Sequence, residues 1–529
     1  MKTELTTNAT TITRARGQQL GDMLRRSAAR VPNKTALVFG EQSDTFSQLN
    51  TIVNRTANAL IARGVERGDR VALLSHNNRT FVILRFAVAR IGAVLAPINF
   101  MLNSSDTAYL LSHCQPVALL VEDTLTALAD EAIAEAGIEL KVHGVIQHSG
   151  ATAAEHWQAV EPWFDYPDST EPYAEVGDDE PVQLMYTSGT ESRPKGAMMS
   201  ARSLYAQYVT CIVDGEMSEN DIEVHSLPLF HCAQLDVFLM VDIYLGATSV
   251  LLEGPDPTTI LSAIEHHKAT KLFCPPTVWI SLLRHPQFDQ FDLNSLRKGY
   301  YGASIMPTAI IEEIAQRLPS VRLFNFYGQT ELAPLATILK PEDQLRKLGS
   351  AGRPGINVET RLVDDDNNPV AVGEVGEIVH RSPQATLGYY HDPKKTAESF
   401  SSGWFHSGDL GRMDDEGYLY VVDRKKDMIK TGGENVASRE VEEVIIKHPD
   451  VMEVAVVGIP HPRWIEAVTA FVVAKPGVEI EVESLEAFCR DKLSSYKRPK
   501  CFQIEAALPK NASGKILKRQ LKDRVIDLP

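Results

Sequence analysis

Apolar residues recur with a helical period over "GQQLGDMLRRSAARVP", which stops at a proline. They then crowd into a short strand, "TALVF". The next amphipathic stretch, "FSQLNTIVNRTANALIARG", predicts a helix ending at Gly64, and "RVALLSH" predicts a strand after it. "FVILRFAVARIGAVLAPI" reads as helix, glycine break and strand. Such alternation predicts an α/β fold with largely parallel sheets. Near residues 355–420 the texture changes. "NVETRLVD", "GEIVHRS" and "GYLYVVD" are short strands between "DDDNNP", "GEVG" and "DDEG" turns, which predicts a β-rich subdomain of hairpins. After Asp423 strand and helix patterns alternate again over a run long enough for a small α+β domain. The expected organisation is a large N-terminal domain of packed α/β sheets with the β-rich subdomain, residues 1–423, and a small mobile C-terminal lid, residues 424–529.

A chain of 529 residues exceeds one typical domain. Its most apolar region, Leu235 to Leu252, is interrupted by Asp236, Asp242 and Gly246, so it predicts buried core rather than a membrane span. The N-terminal "MKTELTTNATTITRARGQQ" lacks the apolar stretch of a signal peptide and reads as a loose tail. Six scattered cysteines without a CxxC pair argue against zinc or a disulfide scaffold and suit a reducing cytoplasm. The net charge of −16 disfavours nucleic acid as a partner. That charge is uneven: residues 424–529 carry 19 Lys+Arg against 16 Asp+Glu, a net of +3, which leaves −19 for the first 423. A mildly basic lid over an anionic ligand explains the split; chance surface variation explains it equally well.

Candidate chemistry centres on "TSGTESRPKG", residues 187–196. A strand pattern, "VQLMY", precedes it and a helix pattern, "ARSLYAQYVTCIV", follows. The expected arrangement is strand, hydroxyl-rich turn and helix N-terminus, with free N–H groups and the helix dipole facing an anion. Thr187, Ser188 and Thr190 supply hydroxyls, Gly189 and Gly196 permit close backbone approach, and Lys195 supplies a point charge. The spacing is not that of a Walker A loop.

Three further segments make the signal specific: "NFYGQTE" (325–331), "FHSGDLGRMDDEGYLYVVDRKKDMIKTGGENV" (405–436) and "ASGKILK" (512–518). With "YTSGTESRPKGAMMS" they closely resemble, in order and spacing, the signature of the adenylate-forming superfamily, and most of all its fatty acyl-CoA synthetases. The resemblance covers residues ~20 to 522. It implies a ligase that uses ATP, Mg²⁺ and coenzyme A. A carboxylate attacks the α-phosphorus of ATP to give acyl-AMP and pyrophosphate; the lid then turns and the thiol of coenzyme A displaces AMP. A carboxylate is already ionised at neutral pH, so the first step needs positioning and charge stabilisation rather than a general base. No Ser-His-Asp or HExxH pattern is present.

The same resemblance assigns roles. Glu331 is the expected Mg²⁺ ligand and Thr330 a phosphate contact. Tyr327 packs on adenine, Gly302, Ala303 and Ser304 run along adenine and the acyl channel, and Asn325 meets the adenine edge. Asp409 takes the ribose hydroxyls with Arg424 downstream, and Asp423 falls at the hinge. Lys515 is the catalytic lysine that reaches the substrate carboxylate and α-phosphate. Lys430, Gly432, Gly433 and Glu434 belong to the loop that meets the pantetheine arm. His231, in "LPLFHCAQL", borders the acyl pocket, with Phe230, Cys232, Gln234, Leu235 and Trp279 as candidate walls. Each has a plainer alternative: a tight turn for 302–304, a solvated side chain for Lys515, ordinary core for the histidine and the walls.

The chain departs from the family pattern in three places. Glu191 and Ser192 replace Thr and Gly in the phosphate loop, Ala437-Ser438-Arg439 stands where Tyr-Pro-Ala is frequent, and Ile465 stands where Gly is common. A bare carboxylate against a triphosphate costs several kcal/mol unless paired, so Glu191 is expected to turn outward or to pair with a cation such as Arg193. The leading expectation is a soluble acyl-CoA synthetase for medium- to long-chain fatty acids, monomeric or homodimeric, with at most peripheral membrane contact. Its rivals are transfer to a carrier protein, a ligase for an aryl or short functionalised acid, and a nucleotide-binding protein that has lost catalysis through Glu191.

Overall fold

The computed structural model describes residue 12 and residues 14–187, 193–304, 306–432, 434–510 and 516–524. Backbone contacts divide the chain into two compact units. The first holds residues 1–187, 195–359 and 381–398; the second holds 188–194, 360–380 and 399–529.

The first unit is built on two sheets. In the seven-stranded sheet Gln158–Ala159, Val142–Ile146, Ala118–Glu122, Arg70–Leu74, Val94–Ile98, Pro181–Thr187 and Lys195–Ser200 lie side by side. All its pairings are parallel except the last. In the nine-stranded sheet six central strands are parallel, from Arg322–Gly328 across to Thr35–Phe39. Antiparallel strands close its edges. The alternating α/β reading is therefore correct: helices make most of the parallel connections, though the short edge strand Gln158–Ala159 is reached by a loop.

The helices form three layers. Arg79–Arg90, Ala201–Asp214 and the run from Ala233 to Leu245 share one apolar cluster with residues of both sheets, so they lie between them. Every described position of Arg79–Arg90 beyond Arg79 is buried, as expected of a helix apolar on all sides. Asn78 starts it by accepting from Phe81 N at 2.8 Å. Pro257–His267, Pro276–Leu283 and Thr308–Arg317 cover the outer face of the nine-stranded sheet. Ser104–Cys114 and Thr126–Ala136 cover that of the seven-stranded sheet. The Leu235–Leu252 region is buried core: a π-helical turn, Ala233–Leu239, leads into helix Met240–Leu245 and strand Thr248–Leu251. Among the described residues no helix is long and apolar enough to cross a membrane.

One expectation is corrected. The phosphate-loop segment does not lead from a strand into a helix N-terminus. Thr187 pairs with Lys195 across an antiparallel hairpin, strand Lys195–Ser200 follows, and the helix starts only at Ala201. "KGAMM" sits between a sheet neighbour and the segment around 388–390, and ladder pairing on both sides outweighs the helical continuation that the sequence suggested.

The second unit contains two antiparallel sheets with one parallel pairing. Glu359–Val363, Val375–Arg381, Trp404–Met413, Phe400–Ser401 and Leu419–Arg424 make the β-rich part. Glu434–Val436, Ile429–Thr431, Ile465–Ala474, Val451–His461 and Cys501–Glu505 make the other sheet, packed by helices Ser438–Ile445 and Val482–Arg490.

Charges inside the middle layer of the first unit are paired. Lys271 Nζ lies 2.8 Å from Glu223 and also binds Asp242, and His225 Nε2 lies 3.3 Å from Asp242; all four side chains are fully buried. Glu223, His225 and Asp242 have the donor atoms to hold a metal ion, but the Lys271 ammonium already supplies the positive charge there. Burial raises the Glu223 carboxyl well above the ordinary carboxylate range, despite the pull of Lys271. Lys271→Met leaves the Asp242 carboxylate, which Lys271 keeps ionised, buried without its cation beside Glu223. The expected loss is about 3–5 kcal/mol in urea unfolding at neutral pH, and it shrinks as the pH falls, because protonation removes the unpaired charge.

Candidate active site

Strand Arg322–Gly328 delivers the first cluster. It ends at Gly328, where a Cβ would come within 1.8 Å of Pro334 O, so the turn closes only on glycine. The next turn, Thr330–Leu332, carries Thr330 and Glu331. Gln384 holds this turn from behind through Leu332 O and Leu335 O, at 3.2 and 2.6 Å. Thr386 N donates to Glu331 O at 2.7 Å.

Glu331 Oε1 accepts from Tyr389 OH at 2.7 Å. Lys195 Nζ stands 5.4 Å from the centroid of the same ring. Tyr389 reaches both because its segment pairs with strand Lys195–Ser200, Tyr390 N donating to Gly196 O and Met198 N to Gly388 O. A carboxylate oriented by a phenol thus shares one aromatic ring with a cation, an arrangement suited to a polyanion and its counter-ion. The sequence reading missed Tyr389. Its segment, "LGYYHDP", belongs to none of the four motifs, and only the pairing with the strand after the phosphate loop brings it to Glu331.

Beside this cluster, Cys232 Sγ lies 3.5 Å from Thr330 Oγ1. Burial pushes the Cys232 thiol up to about 12, so it is no nucleophile at neutral pH. His231 is exposed, and its Nδ1 accepts from Ala233 N at 3.1 Å. Phe230 meets Phe100 edge-on at 5.3 Å, and Phe100 lies against His76 at 3.9 Å. Asn77 ties this loop to the buried helix that follows it, accepting from Leu229 N and donating to Leu227 O, both at 2.8 Å.

Other predicted residues fall on neighbouring strands. Strand Lys298–Gly302 ends at Gly302, whose Cβ would meet Phe326 O at 2.4 Å, and Ala303 adopts a left-handed φ of 64°. Asn325 donates to Ser350 O at 3.0 Å, and half-buried Tyr327 lies two residues on. Gln234 and Leu235 are fully buried, and Gln234 bonds His225 Nδ1 at 2.7 Å. Trp279 is buried in the outer cluster and donates to Tyr300 O at 3.0 Å.

In the second unit Asp409 and Arg424 pair in register across a hairpin, with Arg424 Nε 3.2 Å from Asp409 Oδ1. Asp423 caps helix Ser438–Ile445: its Oδ2 accepts from Ser438 N at 2.5 Å and Ser438 Oγ at 2.8 Å. Lys518 joins this knot through Ser438 Oγ at 2.6 Å and Glu442 at 2.7 Å. Ser438, a departure from the family pattern, is thus a donor that proline could not be. Lys430 is exposed, with its N–H on Glu466 at 2.7 Å. Gly432 has φ 59°, and Glu434 pairs with Thr431. Ile465 holds φ 69°, a left-handed conformation strained for a β-branched residue and natural for the glycine common there. Ser188, Gly189, Thr190, Glu191, Gly433 and Lys515 lie outside the described residues.

The sequence model of the AMP-binding enzyme family matches residues 24–390, and that of the AMP-binding enzyme C-terminal domain matches 440–515. The chain is 35% identical over 513 residues to a feruloyl-CoA synthase of Amycolatopsis sp, covering 96% of this chain and 99% of that protein. It is 34% identical over 509 residues to the long-chain-fatty-acid–CoA ligase FadD13 of Mycobacterium tuberculosis, covering 96% and 98%. The solved structure of the anthranilate CoA ligase AuaEII with anthranoyl-AMP superposes with a TM-score of 0.86 at 28% identity, covering 95% of this chain and 96% of that one. With both family models matched and the Glu331 turn built around them, the chain belongs to the AMP-binding, adenylate-forming enzymes and is an AMP-forming acid–CoA ligase.

Proposed function

We propose that this ligase activates an acid with an apolar body, of medium to long chain or aryl, and that Glu331, Tyr389 and Lys195 organise the triphosphate. The observation that carries the reading is the single ring of Tyr389, which orients the Glu331 carboxylate and faces the Lys195 ammonium. One Glu331 oxygen is taken by the phenol and the other is left for a hard cation, with Thr330 beside it, so the donor set fits Mg²⁺. When bound, Mg²⁺ supplies charge neutralisation on the ATP phosphates. The substrate carboxylate attacks the α-phosphorus and the bond to the bridging oxygen breaks, releasing pyrophosphate. Lys515 stabilises the developing charge, and Asp409 with Arg424 holds the ribose. The chain then turns at Asp423, and the lid of residues 424–529 presents Lys430, Gly432, Gly433 and Glu434 to coenzyme A. The thiol attacks the acyl carbonyl, loses its proton and expels AMP.

The apolar body rests on Phe100, Phe230 and Leu235 as walls, beside His231. Relatives named for feruloyl, indoleacetate and fatty acids indicate that this scaffold serves several acid classes. The family's cytoplasmic setting is part of the proposal.

Pyrophosphate release measured with ATP and a panel of alkanoic and aryl acids tests the reading; no release with any acid while ATP still binds overturns it. Lys515→Ala is expected to slow adenylation by about 100- to 1000-fold, yet to leave thioester formation from supplied acyl-AMP nearly intact. Tyr389→Phe is expected to raise the Mg²⁺ concentration needed for half-maximal adenylation by about 10-fold or more. Glu191→Thr is expected to change the KM for ATP by less than about 10-fold, because an outward or ion-paired carboxylate contributes only at the level of a surface charge. A gain of several orders of magnitude would mean that Glu191 does cripple the loop.

A further inference from the structure

Two parts of the proposed site are joined by a side chain that belongs to neither. Helix Ala201–Asp214 follows strand Lys195–Ser200 directly and packs between the two sheets. Gln207 sits midway along it with no exposed surface. Its amide nitrogen donates to Asp236 O and to Ala333 O, each at 3.2 Å. The reverse orientation would set the amide oxygen against both carbonyls. With the nitrogen so placed, the oxygen lies 2.9 Å from Cys211 Sγ, whose thiol burial keeps protonated and able to donate. Both N–H groups of one buried amide are thus committed to two backbone carbonyls 97 residues apart in sequence.

Those carbonyls mark the two sides of the chemistry. Asp236 lies in the π-helical turn Ala233–Leu239, which continues the loop of Phe230, His231 and Cys232 where the acid's body is proposed to rest. Ala333 closes the turn Thr330–Leu332 that carries Glu331, and its N–H donates to Thr330 O at 3.1 Å. Both are irregular pieces of backbone. A π-turn interrupts a helix and gathers at functional sites. Ala333 holds a left-handed φ of 69°, strained for a residue with a side chain and kept only where its surroundings fix it. Cys232 Sγ, 3.5 Å from Thr330 Oγ1, ties the same two segments a second time.

The same helix also supports the Glu331 turn by a separate route. Thr210 donates to Gln384 Oε1 at 2.6 Å, and Gln384 donates to Leu332 O and Leu335 O. These bonds end on the Glu331 turn, whereas the Gln207 bridge reaches the acid side as well. A carbonyl that loses its donor in a buried layer has no water to replace it. If an acid settles against the 230–232 loop and fixes the π-turn, Gln207 is fixed with it, and so is Ala333 O. The nucleotide that binds next then has less of the Glu331 turn to order, and linkage makes the effect equal in the other direction.

We infer that Gln207 is a positioning residue that couples the acid loop to the Glu331 turn, so that the acid and Mg²⁺-nucleotide each bind more tightly when the other is present. The inference rests on the proposed acid-activating reading. Its test uses α,β-methylene-ATP with Mg²⁺, in which the bond that adenylation breaks is replaced by P–C–P, and the member of the alkanoic and aryl panel with the highest kcat/KM. Calorimetry gives the dissociation constant of the analogue with and without saturating acid. In the wild type the acid is expected to lower that constant by about 10-fold or more. Gln207→Met, of similar length but without a donor, is expected to bring the factor to within about twofold of unity. A merely structural role would weaken the analogue alike with and without acid and leave the factor where it was. Thr210→Val, which loosens the Glu331 turn by the other route, is expected to behave in that way. Gln207→Glu, which keeps the shape and has no donor when ionised, is read if Gln207→Met does not fold. A wild-type factor within about twofold of unity overturns the inference. So does a factor that survives the loss of the Gln207 amide, or one that Thr210→Val abolishes as well. Each of these results leaves the acid-activating reading standing, since that reading fails only if no acid releases pyrophosphate.

Discussion

A layer of helices enclosed by a sheet on each side is the constraint on which the rest depends. Arg79–Arg90 and the run from Ala233 to Leu245 are almost wholly buried, and Ala201–Asp214 shows water only a narrow stripe at Arg202, Val209 and Val213. Every polar group in that layer must therefore find a partner inside it. Lys271, Glu223, His225 and Asp242 meet that demand by pairing their charges with one another.

The candidate cluster around Glu331 is an edge product of the same architecture. Parallel strands end together, and the turns beyond Gly302 and Gly328 carry Ala303, Thr330 and Glu331 from adjacent strands. Ligand sites in open α/β sheets gather at such carboxyl ends. The strand Lys195–Ser200 and the 386–390 segment then bring a cation and a phenol to the same carboxylate. Four parts of the chain, far apart in sequence, meet because sheet pairing leaves them no other register.

In the second unit Asp423 illustrates how a local departure acquires meaning. From sequence, Ala437-Ser438-Arg439 was only a difference from a frequent Tyr-Pro-Ala. In the fold Ser438 gives Asp423 two donors and joins it to Lys518 and Glu442. Ile465 is the converse: a residue whose strained φ exposes the glycine that commonly stands there.

Local periodicity was enough to read the alternating strands and helices, the β-rich hairpins and the α+β tail, because side-chain burial repeats at the period of each element. Four ordered motifs were enough to place Glu331, Thr330, Asp409 and Arg424 in one family of chemistry. Neither source could determine the path after the phosphate loop: "KGAMMS" has the composition of either a helix start or a strand, and pairing with Thr187 and with the 388–390 backbone decided for the strand. Nor could they find Tyr389 beside Glu331, 58 residues away in sequence. A pattern along the chain records which face of an element is buried; only the packing of sheets and helices in three dimensions decides which buried groups face one another.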